Sequence, residues 1–369
     1  MNDTPVPRLR LSDPGDIAQV VPFLLGFTPE ESLAIVVMEN SQVQVTARAD
    51  LADLRQQDAA EDLLDRIWTR FPNADAILIA YTHNPEAGWD LLERCTDHLP
   101  TGALRHAMLV NHGTWELADG SHGLVDFSGR VSAEAAYHGL RQLSRRADLE
   151  ARFVSAPDSP ALDAAVRAAL DDLPKYRDLT ALLSYTRDLL HRNLRSRTPF
   201  GEGKSTQAMS TLEAVQLTQL VQNRDIRDFV LASITKTTAP RHLALWSEVL
   251  SRTPGRFAEM PAAIAGIAAW ISGDGASANI ALGRAQSAPI IPRASGPTDL
   301  LNAILDQVVP PSAWPSLRGM ILEHADQRVH HALIPHIRPA HTASPGVRTA
   351  TAAPEVRPSR PSPSTGPTL

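Results

Sequence analysis

The stretch that most constrains this chain is Pro14 to Val37, PGDIAQVVPFLLGFTPEESLAIVV. In it a helix signal, a glycine stop, a second turn and an apolar run follow one another without a gap. Asp13 is a candidate helix cap, Pro14 suits an early helical position, and Asp16 sits where a carboxylate meets the positive helix end. Ile17, Val20, Val21, Leu24 and Leu25 recur at helical spacing and give one apolar face. Pro22 predicts a short or kinked helix, because it has no N–H and crowds the carbonyl four residues back. Gly26 reads as its C-cap. Thr28-Pro29-Glu30-Glu31 then turns the chain. Leu33 to Met38 is too short for a helix and suits a buried strand.

The rest of the first half continues in that style. Residues 33–38 and 42–50 form an expected hairpin about Glu39-Asn40-Ser41, and Gln42 to Arg48 alternates polar and apolar as a strand with one wet face does. Ala59 to Phe71 is an amphipathic helix with Leu63, Leu64, Ile67, Trp68 and Phe71 inward. Ala76 to Tyr81 is a buried strand, Asn84-Pro85-Glu86 caps a helix reaching about Leu99, and Ala107 to Val110 starts another strand. This order favours a mixed α/β sheet with a parallel part, covered by helices. Thr114 to Val131 reads as a polar hairpin.

After Ser132 helical periodicity dominates: 133–146, 161–169, 179–195, 211–222, 226–234, 242–250, 260–271 and 277–286, with shorter helices within 298–308 and 314–333. The turn at Ala156-Pro157-Asp158 places the expected boundary, which gives an α/β domain over 1–156 and an all-helical, helical-repeat-like domain over 157–333. Residues 334–369 are Pro, Ser, Thr, Ala and Arg with few apolar residues, the composition of a disordered tail.

Composition excludes several classes. There is no run of ~18 apolar residues, hence no expected membrane span, and the start MNDTPVPRLRLSD lacks the pattern of a signal peptide. A single cysteine, Cys95, rules out an internal disulfide or a cysteine zinc cluster, so the cytoplasm is the expected compartment. The net charge of -6 argues against nucleic-acid coating, despite the Arg-rich helices around Arg141, Arg145, Arg146 and Arg192, Arg195, Arg197.

The order of a short helix, P-x-L-L-G-F-x-P-E-E-S, a strand, a polar turn and a second strand ending in R-x-D-L resembles an actinobacterial family, domain of unknown function 4192. The matching residues are Pro22, Leu24, Leu25, Gly26, Phe27, Pro29, Glu30, Ser32 and Leu33, then Arg48, Asp50 and Leu51. Arg227-Asp228, Leu245-Trp246 and Ala269-Trp270 ahead of Gly273-Asp274-Gly275 extend the likeness over most of residues 9–309. The resemblance implies a fold and a host group but no reaction. A second, partial likeness lies near residues 262–288, where Gly266, Gly273, Ala278, Leu282 and Ala285 match the spacing of a tetratricopeptide helix pair.

Candidate chemistry falls in two places. Gly203-Lys204-Ser205 matches the end of a phosphate-binding loop, and TPFGEGKST is similar to a loop of formate–tetrahydrofolate ligase. The residues before it are helical and basic, whereas a phosphate loop follows a buried strand, so an interhelix loop is the competing reading. The second place is the rim of the sheet. Open α/β sheets bind ligands beyond the carboxyl ends of parallel strands. Tyr81, His83 and Asn84 follow one strand, Asn111 and His112 the next, and Asp50 closes the hairpin. Asp50, His83 and His112 together form a candidate acid–base or metal set. His324, His330, His331, His336 and His341 lack the i,i+4 spacing of chelating pairs on a helix face, and Cys95 reads as packed. No metal site is expected from spacing, and the sequence names no cofactor. The expectation is a non-enzymatic binding or scaffolding protein, with a helical surface for a protein partner and an α/β ligand domain. The alternative is a nucleotide- or metal-dependent enzyme or switch.

Overall fold

A computed structural model describes residues 13–40, 42–56, 58–126, 128–137, 146–173, 178–195, 209–288 and 296–333. The expected tail lies outside these residues. Strands β1 (Ser32–Glu39), β2 (Gln42–Asp50), β3 (Asp75–Tyr81), β4 (Leu104–Asn111), β5 (Thr114–Leu117) and β6 (His122–Leu124) form one sheet in the order β2-β1-β3-β4-β5-β6. Only β3 and β4 run parallel; the other neighbours are antiparallel, so the sheet is mixed. The helices in chain order are α1 (Pro14–Leu25), α2 (Ala59–Arg70), α3 (Pro85–His98), α4 (Arg130–Tyr137), α5 (Arg146–Glu150), α6 (Pro160–Asp171), α7 (Leu179–Arg195) and α8 (Thr211–Leu220). They continue with α9 (Arg224–Ser233), α10 (Ala239–Ser251), α11 (Glu259–Ile271), α12 (Gly275–Gln286), α13 (Gly296–Asp306), α14 (Trp314–Glu323) and α15 (Gln327–Leu333).

The opening stretch folds as its sequence dictates. Asp13 accepts from the Asp16 N–H, Pro14 occupies the first turn, and Gly26 ends α1 in the left-handed region at φ 78°. Pro22 is accommodated inside the helix rather than ending it. Leu33 to Val37 of β1 are all buried, and strict alternation divides them. Leu33, Ile35 and Val37 pack with Leu64, Ile67, Leu78, Leu92 and Cys95 beneath α2 and α3. Ala34 and Val36 face the other way, onto Ala18, Val21, Ile77, Ile79 and Met108. That second cluster continues without a break into Leu182, Leu217, Trp246, Ile264 and Trp270 of the helical half. At the expected boundary, Ala156 makes an isolated bridge to Pro254, ahead of α11.

Close approaches are set by missing side chains. A Cβ on Gly88 would stand 2.5 Å from Leu109 Cδ1 and 2.8 Å from Thr82 Cγ2, so only glycine lets α3 lie this near β3 and β4. In the α11–α12 hairpin a Cβ on Gly266 would collide with Leu301 of α13 and stand 3.2 Å from Ala281 Cβ. Residues 314–333, read as one helix, divide into α14 and α15 at His324–Asp326.

Two outcomes follow from this packing. Gly266→Val forces a branched side chain into the α11–α12–α13 contact and should lower stability by about 1–3 kcal/mol in urea unfolding. His242 on α10 is buried, and among the described residues neither its Nδ1 nor the buried Nε1 of Trp246, one turn on, has a hydrogen-bond partner. Burial pushes the His242 pKa down to about 3, against 6.5 for an unburied imidazole. Because the unfolded chain then takes up the proton first, stability is intact above pH 6.5 and falls as pH drops towards 3. His242→Leu should flatten that acid slope by up to about 1.4 kcal/mol per pH unit, read from urea unfolding at stepwise pH.

Candidate functional site

The parallel pair β3–β4 builds the rim. The ladder ends at Tyr81 opposite Val110, and the Thr82 N–H extends it by donating to the Val110 carbonyl at 3.1 Å. His83 and His112 therefore stand the same two residues beyond the last matched pair. Their rings stack with centroids 4.4 Å apart and planes at 30°. His112 and Gly113 both have positive φ, 45° and 78°, which is the two-residue turn that joins β4 to β5.

Glu31 fastens the rim. It sits at φ 41°, an uncommon conformation for a residue with a side chain. Its carboxylate accepts from Thr82 Oγ1 at 2.9 Å and from the His83 N–H at 2.7 Å, and its carbonyl accepts from the Leu51 N–H at 2.9 Å. One residue thus ties the ends of β1, β2 and β3. Thr82 Oγ1 in turn accepts from the Asn84 N–H at 3.1 Å, and Asn84 Oδ1 caps α3 by accepting from the Ala87 N–H at 3.2 Å.

Beside this turn, between residues 51–55 and the exposed side of α3, lies a cleft of about 550 Å³. It is lined by the buried apolar residues Leu51, Leu54 and Leu91, by Thr82 and Asn84, and by the charged residues Arg55, Asp90, Glu93 and Arg94. Arg94 is steadied by donating to the Leu54 carbonyl at 3.3 Å.

The other rim candidates go elsewhere. Tyr81 is buried against α1, where its hydroxyl donates to the Ala18 carbonyl at 3.1 Å, and burial holds the phenol above its usual pKa. Asp50 pairs with Arg48 and, at 3.3 Å, with Arg146. It lies opposite Ser32, which lies opposite Tyr81, so two strand spacings, roughly 10 Å, separate its backbone from that of Tyr81 on β3. The structure brings the histidines together without Asp50. Asn111 Oδ1 is buried without a hydrogen-bond partner among the described residues. Gly203, Lys204 and Ser205 lie outside the described residues. Among the described residues no three His, Cys, Asp or Glu side chains stand as a metal group, and no helix is long and apolar enough to cross a membrane.

The family model described as "Domain of unknown function (DUF4192)" matches residues 14–312. The chain belongs to the DUF4192 family. No curated protein and no solved structure matches it. The match takes in the sheet, the rim, the cleft and α1 through α13 of this DUF4192 chain. Its Cys95 is packed in α3, and burial raises the thiol to about 12, out of the reactive range. His324 and His330 accompany backbone carbonyls, of Met320 and Leu322, each at 2.9 Å.

Sequence reading singled out neither Glu31, Arg55 nor Arg94 as a site residue. Glu31 shows as one of two turn carboxylates, and only the β1–β3 pairing reveals which backbone it serves. Glu31→Ala removes the acceptor for two donors, and Thr82 is buried, so the change should cost about 1–3 kcal/mol in urea unfolding. Glu31→Gln, which keeps one acceptor oxygen, should cost less.

Proposed function

We propose that this DUF4192 chain is a binding protein whose α/β half takes a small polar ligand in the cleft beside Thr82 and Asn84, while the helical half offers a surface to a protein partner. The observation that carries the ligand reading is the cleft itself. It lies at the carboxyl end of a parallel strand, where open α/β sheets take ligands, and its volume of about 550 Å³ is of small-ligand size. Leu51, Leu54 and Leu91 would hold the ligand body, and Arg55, Arg94, Asp90 and Glu93 would orient its polar groups. The Glu31–Thr82–Asn84 chain of hydrogen bonds holds Thr82 and Asn84 in place before a ligand arrives, which lowers the entropy lost on binding.

A second reading has one observation in its favour. The stacked His83 and His112 stand on the rim outside the cleft lining, His83 between the cleft residues Thr82 and Asn84, so an acid–base role would act on a ligand that reaches out of the cleft towards His83.

Thermal unfolding of the full chain against a panel of polar small molecules, magnesium-ATP and zinc tests the proposal. A true ligand at ~100 times its dissociation constant adds about 2.7 kcal/mol. Arg94→Ala should weaken that ligand about tenfold, worth about 1.4 kcal/mol, and Lys204→Ala should leave it unchanged. A shift abolished by Lys204→Ala and indifferent to Arg94→Ala would overturn the cleft in favour of the glycine-rich loop.

A further inference from the structure

The cleft beside α3 carries charges that the fold leaves unmatched. Arg55, Asp90, Glu93 and Arg94 put two guanidinium groups and two carboxylates around one cavity of about 550 Å³. Among the described residues, the side chains of Arg55, Asp90 and Glu93 make no hydrogen bond and no ion pair, and Arg94 has only the Leu54 carbonyl at 3.3 Å. Asp90 and Arg94 stand four apart on α3, the spacing at which opposite charges meet on a helix. Elsewhere in the chain that spacing gives ion pairs: Arg130 with Glu134 at 3.1 Å, Arg146 with Glu150 at 2.9 Å and Arg252 with Glu248 at 3.1 Å. In α3 it does not. Arg94 reaches instead towards Leu54, the residue before Arg55, and the Asp90 carboxylate is left without a cation.

A ligand can supply what the helix does not. The lining charges sum to zero, so a ligand with one sign of charge meets one pair and leaves the other to water. A zwitterion meets both. Spacing chooses among zwitterions. Asp90 and Arg94 are rooted one turn apart, ~6 Å along the helix axis. The ammonium nitrogen and carboxylate carbon of a free amino acid are about 2.5 Å apart, those of an extended dipeptide roughly 6 Å, and each further residue adds about 3.5 Å. Buried Leu51, Leu54 and Leu91 line the same cavity and give apolar side chains a surface to cover.

Given that this cleft is the binding site proposed above, we infer that its ligand is a dipeptide with free ends. The ammonium meets Asp90, the carboxylate meets Arg94 with Arg55, and apolar side chains cover Leu51, Leu54 and Leu91. Blocking either end of the dipeptide leaves one sign of the cleft's charge unmatched.

The test is thermal unfolding and calorimetric titration of the full chain with leucyl-leucine, alanyl-leucine and leucyl-alanine, alongside leucine, N-acetyl-leucyl-leucine and leucyl-leucine amide. At least one free dipeptide should raise the melting temperature, with leucine and both blocked forms binding about tenfold or more weakly. Asp90→Asn should cost the free dipeptide about tenfold and leave the N-acetyl form unchanged, since that form has no ammonium to lose. Arg94→Gln should do likewise for the free dipeptide and spare the amide. Both residues are exposed, so without ligand each variant should melt with the wild type. If no dipeptide shifts the melting temperature while another compound binds in an Arg94-dependent way, the dipeptide is overturned and the cleft stands. Absence of any Arg94-dependent ligand overturns both. A dipeptide whose affinity ignores Asp90→Asn, or falls equally in its free and acetylated forms, also overturns the assignment.

Discussion

Burial of β1 on both faces is the constraint on which the other features depend. Leu33, Ile35 and Val37 are committed to the α2–α3 side and Ala34 and Val36 to the opposite side. A slip of one residue would exchange the two sets and empty both cores at once. The register with β2 and β3 is therefore held by hydrophobic free energy along the strand rather than by any single turn. That register delivers Glu31 to the end of β3, where its carboxylate meets Thr82 and His83. The energy that holds the rim is thus drawn from a strand that contributes no side chain to the cleft.

The β3–α3–β4 unit works in the same way one layer out. Parallel pairing of Tyr81 with Val110 sets the ends of both strands level, Gly88 lets α3 settle close to the sheet, and Asn84 caps the helix's first turn. The cleft is what remains between that close-packed helix and residues 51–55, which Glu31 also fastens through Leu51. In the helical half the packing relies on small residues. Alanines and Gly266 line the α11–α12 contact, so helix backbones approach without large interlocking side chains.

Local physics made much of this architecture legible in the residues. Asp13, Pro14 and Gly26 bound α1, Asn84 caps α3, and the alternation in Gln42 to Arg48 marks β2 as a strand with a wet face. Each of these signals acts over a few residues, so a linear reading finds it. The helix over 179–195 is legible for the same reason, its apolar residues recurring at helical spacing along one face. Helix ends were less legible, as at α10 and the α14–α15 break, because tertiary contacts decide where fraying stops.

The rim shows where that reading ends. Sequence alone determined that His83, His112, Asn84 and Asp50 sit at strand ends, because strand termini follow from periodicity and turn chemistry. It could not determine which ends are neighbours. Strand order set β3 beside β4, which joined the histidines, and set β1 between β2 and β3, which left Asp50 apart with Arg48 and Arg146, while Tyr81 turned towards α1. Local elements are written in short-range sterics and hydrogen bonding; the sites arise from long-range burial, which pairs residues by the core they share rather than by their distance along the chain.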